Sequence, residues 1–208
     1  FIMLGGGVGD SYQPVEEKYQ LTRKTLQLLC EYRWPVHILT KSTLVERDID
    51  IIKRINQQNR AIVSFSFSSA NDEISAIFEP HVPPPSERLK TLEAFKKEGV
   101  ACGVFLLPVI PFITDTPEMI EDALKKARDV GVDFVVFGGM TLKAGQQKDH
   151  FYKILSKKRP ELTAKYEEIY KANEWGQATE EYYNAVNSVF NSVAKTYKLY
   201  RRMPPVLY

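Results

Sequence analysis

Three serines at alternate positions, Ser64, Ser66 and Ser68, interrupt the apolar run Ala61–Ser68. Successive side chains of an extended chain point to opposite faces, so the three hydroxyls share one face and Phe65 and Phe67 take the other. In a parallel sheet covered on both sides, hydroxyls on one face need polar partners or a polar cavity. Bonding to nearby backbone is the alternative. Phenyl rings pack better beneath covering helices, so the serines are expected inward. Lys41 directly follows a second apolar run, Val36–Thr40. A compact ammonium there suits a carboxylate or phosphate, and a solvated loop charge is the plainer alternative. Gly5-Gly6-Gly7 closes a third run, Phe1–Leu4. Bare backbone at that point can approach a ligand or simply turn the chain, and it lacks the G-x-G-x-x-G spacing of dinucleotide folds.

Other reactive residues point elsewhere. Cys30 and Cys102 are the two cysteines, one in a helical and one in an extended stretch. They read as small core residues, which excludes a disulfide scaffold and suits a reducing cytoplasm. His37, His81 and His150 lack the spacing of metal ligands. Neither a G-x-S-x-G elbow nor a P-loop occurs. Glu16, Glu17 and Glu31 read as a solvated helix face, with Glu16 near the strand-end loops. Lys195, Lys198, Arg201 and Arg202 with Tyr197 and Tyr200 could bind nucleic acid. Cations at a helix end are the preferred reading.

These residues must be positioned by alternating apolar runs and amphipathic stretches. Strands are predicted at Phe1–Leu4, Val36–Thr40, Ala61–Ser68, Ala101–Leu107 and Asp133–Phe137. Helices are predicted at Val15–Tyr32 (inward Leu21, Thr25, Leu28, Tyr32), around Asp48–Ile55, and from an N-cap at Ser86 through Glu98. Thr116 and Pro117 open a further helix that Gly131 ends. Beyond Gly138-Gly139-Met140, read as a loop, the chain is helical, with Val186, Phe190, Val193 and Tyr197 in one stripe. Successive strand–helix units mean a parallel α/β sheet, either doubly wound or a partial (β/α) barrel. Either topology gathers the chemistry at the strands' carboxyl ends. The expected organisation is a core over residues 1–147 with a helical extension of the same domain over 148–208. A strand at the first residue suggests a chain that begins in mid-domain. The 208 residues are 44% hydrophobic and 26% charged with a net charge of +2, which demands no nucleic-acid partner. No apolar run approaches the ~20 residues of a membrane helix.

Gly9-Asp10-Ser11-Tyr12-Gln13-Pro14-Val15-Glu16, followed by Leu21-Thr22-Arg23, resembles the T-D-P-Y-Q-P-x-E … T-R signature of radical S-adenosylmethionine (SAM) proteins related to spore photoproduct lyase. Thr40-Lys41-Ser42 with Arg47-Asp48-Ile49-Asp50 is similar to that family's T-K-S … R-D-x-D. Ser66-Phe67-Ser68-Ser69, Glu79-Pro80 with Arg88-Leu89, and Pro108-Val109-Ile110-Pro111 with Thr114-Asp115 look like its S-I-T-T, E-P … R-L and P-I-I-P-x-x-N-D. The likeness runs in order to about residue 145. Gly9 and Ser11 depart from the usual Thr and Pro.

The resemblance implies a partial (β/α)6 TIM-like barrel lacking its first βα unit. It implies a radical SAM enzyme, lyase-like in full-length form and inactive as this piece, that works through a 5′-deoxyadenosyl radical. A nucleic-acid substrate, as in DNA repair, belongs to the same implication. The family's C-x-x-x-C-x-x-C triplet, which holds a [4Fe–4S] cluster, is absent, and its place would be upstream of Phe1. Gly5, Gly6 and Gly7 would lie beside the SAM amino group, and Lys41 would pair with its carboxylate. Ser66 and Ser68 would bond the carboxylate or ribose. Pro108, Gly138 and Met140 would line the adenine. Asp10, Tyr12, Gln13, Glu16 and Arg88 join the candidate set as matched motif residues. A cluster-free (β/α) domain that binds a phosphorylated metabolite or a protein partner stays open beside this reading.

Overall fold

The computed structural model describes residues 1–5, 9–171 and 174–207. Five strands, β1 (Ile2–Leu4), β2 (Val36–Thr40), β3 (Ala61–Phe67), β4 (Ala101–Val109) and β5 (Phe134–Gly139), form one sheet in sequence order, each neighbouring pair parallel. A doubly wound sheet reverses its strand order at a switch point. This sheet never reverses, so it is an arc of a (β/α) barrel.

The helices are α1 (Glu16–Tyr19), α2 (Leu21–Glu31), α3 (Ile49–Gln58), α4 (Asp72–Phe78), α5 (Pro85–Lys97), α6 (Pro117–Val130), α7 (Gln146–Lys158), α8 (Thr163–Ile169) and α9 (Glu180–Thr196). Val36, Ile38, Val63, Phe65, Phe67, Cys102, Val104 and Leu106 face outward from the barrel axis. They pack with Leu26, Ile51, Ile52, Leu92, Phe95, Ile120 and Leu124 of the covering helices in the main core. Each large apolar side chain buried there contributes about 1.5–3 kcal/mol. Helix α9 joins this core through Phe190 and Ala194, with Val186, Val193 and Tyr197 partly buried against it. Helices α7 and α8 make a second cluster on the loop after β4, around Ile110, Ile113, Leu155 and Tyr166.

Strand register fixes the inner face. His37 pairs with Ile62, Ser64 with Gly103, and Ser66 with Phe105. Paired residues of parallel strands share a face, so His37, Ser64, Ser66 and Phe105 look away from the helices. Ser64 and Ser66 point inward, as expected, Ser68 lies past the strand's end, and Phe65 and Phe67 lie under the helices.

Some boundaries and faces differ from the sequence reading. The stretch from Val15 to Tyr32 is two helices, because Gln20 takes φ +52°. Helix α2 buries Thr22, Leu26, Leu29 and Cys30, while Leu21, Leu28 and Tyr32 are exposed. The sequence carries two apolar stripes there, and the other one is buried. Helix α5 begins at Pro85 after Pro84, so Ser86 is no cap; its hydroxyl donates to Asp72 at 2.6 Å. Helix α4, capped by the Asn71 side chain on Ile74 N, falls where no helix was expected. Gly138 and Gly139 belong to β5 rather than to a loop. Helix α6 follows expectation: the Thr116 side chain accepts from Met119 N, Pro117 is the first helical residue, and Gly131 at φ +81° ends it.

Candidate functional site

The serine strand rises through the interior in steps. At its lower end the Ser64 hydroxyl meets His37 Nε2 at 2.9 Å, and the His37 ring lies against Phe105 and Phe134 with centroids 6.0 and 6.3 Å away. Both polar groups are buried. Burial holds the imidazole down at about 4, so it is neutral and plugs the barrel floor. Ser66 sits one pleat higher, and Ser68 follows the strand's end. The Ser68 hydroxyl is buried and finds no partner among the described residues. An unpaired buried hydroxyl costs free energy that a ligand atom would recover.

Lys41 stands at the carboxyl end of β2. Its Nζ donates to Glu79 at 2.7 Å and lies 3.5 Å from the Ser66 carbonyl oxygen. Burial pulls its ammonium below the usual lysine range, and Glu79 works in the opposite direction. Glu79 also accepts from Arg88 Nη1 at 2.9 Å. Arg88 is fully buried and donates to the Ser66 and Pro83 carbonyls, each at 2.7 Å. Its Nη2 has no partner among the described residues.

The motif residues of the first loop form a brace. Asp10 accepts from Thr40 Oγ1, Lys41 N and Tyr12 N, all within 2.8 Å, and so pins the loop to the end of β2. The buried Tyr12 hydroxyl donates to Asp48 at 3.1 Å. Asp48 also accepts from Arg23 and Arg47. Arg23 reaches on to Asp50 through Nη1 and Nη2, and this hydrogen bonding holds the Asp50 carboxyl below the usual range. Glu16 accepts from Thr22 N at 3.0 Å and Arg23 N at 3.2 Å, capping α2 from outside that helix, and pairs with Arg47 at 2.9 Å. Burial would raise its carboxyl, but these hydrogen bonds outweigh burial and hold it low. Tyr12, Asp10 and Glu16 are therefore engaged by protein groups. Gln13 and Lys41 line a recess of about 630 Å³ with Arg47 and His81. Gly5 takes φ +86°, and a side chain there would run into the Leu39 carbonyl, so only glycine fits. Gly6 and Gly7 lie outside the described residues.

The other half of the mouth is at β4 and β5. Met140, Gly139, Pro111, Asp115, Tyr170 and Tyr182 line a cavity of about 520 Å³, a size that accepts a small molecule. Tyr170 donates to the Met140 carbonyl at 2.9 Å, and the Tyr182 hydroxyl donates to Asp115. Burial pushes the Asp115 carboxyl up to about 6. Gly138 packs against Leu107 within the sheet, and Pro108 is an exposed residue of β4. The basic C-terminal stretch is elsewhere. Tyr200 bridges to Phe134, the first residue of β5, at the sheet end opposite the mouth.

The donor set decides which cofactor can be held. The two cysteines lie apart on α2 and β4, both buried, and burial raises the Cys102 thiol. No group of three or more metal-binding side chains occurs among the described residues. A [4Fe–4S] cluster needs a set of thiolates, so these residues do not fit one. A ligand carrying a carboxylate and hydroxyls does fit an ammonium with an unpaired serine hydroxyl near the same strand ends. Sequence reading missed Glu79, Asp48, Asp115 and Tyr182 as site residues. Glu79 and Asp115 stood in matched motifs, and Tyr182 gave no local signal.

No family model matches the chain. It is 32% identical over 162 residues to an uncharacterized protein of Mycobacterium tuberculosis, covering 78% of this chain and 47% of that one. It is 31% identical over 160 residues to an uncharacterized protein of Acidianus two-tailed virus, covering 76% and 52%. The chain thus spans about half the length of the curated relatives it matches. Among solved structures it is similar to spore photoproduct lyase with bound AdoMet and dinucleoside spore photoproduct, at TM-score 0.61 and 14% identity over 88% of this chain and 55% of that one. The partial-barrel fold is therefore shared with spore photoproduct lyase. No helix among the described residues is long and apolar enough to cross a membrane.

Proposed function

We propose that this chain is the SAM-binding part of a radical SAM enzyme, with the [4Fe–4S] cluster supplied by residues outside these 208. One observation carries the reading. Lys41 Nζ reaches from the end of β2 over the end of β3, to 3.5 Å from the Ser66 carbonyl. The two expected carboxylate contacts thus share one mouth, in a fold shared with a protein whose solved structure holds AdoMet. Lys41 would hold the methionyl carboxylate, and Ser66 and Ser68 would bond that group or the ribose. The cavity at Pro111, Gly139 and Met140 would take the adenine. Bound there, SAM would supply the adenosyl group for hydrogen abstraction. The protein's part is to orient SAM, and the neutral floor of His37, Ser64, Phe105 and Phe134 keeps water from below.

A nucleic-acid substrate and a lyase-type outcome belong to the same proposal, supported by the dinucleoside spore photoproduct bound to the similar structure. The basic C-terminal stretch does not support it, because it lies at the far end of the sheet. A cytoplasmic setting is supported by two free, buried cysteines.

Calorimetric titration tests the reading. Lys41→Ala should weaken SAM binding by about 1–3 kcal/mol, the scale of a charged hydrogen-bond partner lost from a partly buried site. Decarboxylated SAM should bind the variant and the wild type alike. Equal SAM affinity in both proteins would remove Lys41 from the site.

A further inference from the structure

The polar groups around the end of β3 form a chain of charges that the proposed ligand contacts do not exhaust. Arg88 is fully buried on α5 and fixed to two backbone carbonyls. These two bonds hold its guanidinium in place as an anchor. It grips Glu79 Oε2, and Glu79 Oε1 grips Lys41. The Glu79 side chain is 9% exposed and that of Lys41 32% exposed, so charge increases toward the mouth in solvent access. The Ser75 hydroxyl also donates to Glu79, at 3.4 Å. Two cations thus share one carboxylate, which leaves one positive charge at the mouth and one donor position of the Lys41 ammonium beyond its contacts to Glu79 and Ser66.

We propose that Glu79 is a positioning residue, whose carboxylate, anchored on Arg88, keeps the Lys41 ammonium charged and directed at the carboxylate of the bound ligand. A partly buried amine loses solvation of its charged form, and an anion in contact restores the preference for the proton. Glu79 is that anion, and Arg88 prevents it from turning away. The charged groups facing Lys41 are Glu79, Arg88 and Asp10, and Arg47 and His81 line the recess beside it. Asp10 is engaged with Thr40 and the Lys41 amide. This leaves Glu79 as the direct anionic partner of Nζ.

The role rests on the SAM reading only for the identity of the ligand, so its test begins with the free protein. In Glu79→Gln, the pH midpoint of the Lys41 Cε resonance, followed by NMR on lysine-labelled protein, should fall by about one pH unit or more. SAM affinity should match wild type only below the new midpoint and drop about tenfold per pH unit above it. Glu79→Asp, which keeps the charge but withdraws it by one methylene, should show a smaller fall in the same midpoint. It carries the test alone if Glu79→Gln does not fold. A Lys41 midpoint unchanged in the folded variant overturns the proposal. A lowered midpoint in the variant, with no SAM bound by wild type at any pH, retains the role of Glu79 and refutes the SAM reading.

Discussion

Acid should unlock the barrel floor through one residue. His37 is 3% exposed, lies between aromatic rings and bonds Ser64. Burial holds its imidazole at about 4 against the ordinary 6.5. A group held below its unfolded value contributes stability that is complete above 6.5 and is lost as pH falls toward 4. At about 1.4 kcal/mol per pH unit, that gap amounts to about 3 kcal/mol, with most of it gone by about pH 4.5. His37→Gln keeps a hydrogen-bonding group within reach of Ser64 and takes up no proton in this range. Urea unfolding of both proteins at about pH 7.5 and 4.5 isolates the effect, since titrating carboxylates are common to the pair. Wild type should lose about 2–3 kcal/mol more than the variant between the two conditions. Parallel losses would refute the reasoning and mean that the imidazole accepts its proton without opening the floor.

Two further outcomes follow from the same kind of argument. Glu16→Ala removes an external cap from α2 and takes from Arg47 one of its two carboxylate partners, leaving Asp48, so urea unfolding should show a loss of about 2–4 kcal/mol; a loss below about 1 kcal/mol would show that the brace is ornamental to stability. Asp115 is raised by burial from 3.8 to about 6, so its folded form favours the proton and the penalty builds as pH rises between those two values and is complete above the higher one. Asp115→Asn should therefore stabilise the protein by about 1–2 kcal/mol at pH 8, after allowance for solvent reaching the group, and have little effect at pH 4. Equal effects in thermal melts at both pH values would contradict this.

Local chemistry was the legible part of the sequence. Thr116, Pro117 and Gly131 mark both ends of α6 because caps and left-handed glycines act within a few residues. Period two put Ser64 and Ser66 on one face because a strand has only two, and the packing of Phe65 and Phe67 under helices made that face the interior. Where two answers were locally equal, the reading failed. Helix α2 carries Leu21 and Leu28 on one side and Leu26 and Leu29 on another, and only packing on α3 and β2 chooses between them. The break at Gln20 has the same character, since Glu16 turns back to cap the next helix. Helix α4 had a legible signal in Asn71, obscured by the prolines that follow. At the site, matched motifs led to Lys41 and Arg88 and contained Glu79, but a sequence separation of 38 conceals the pairing of Lys41 with Glu79. Asp115 and Tyr182 meet across 67 residues, which no local pattern encodes.

The central claim is that SAM binds at the strand-end mouth, and NMR shift mapping on the 208-residue chain titrated with SAM tests it most directly. The account predicts perturbed amides at Lys41, Ser66, Ser68 and Met140, with the Lys195–Arg202 stretch unmoved. Perturbations confined to that basic end, or none at the mouth at saturating SAM, would contradict it.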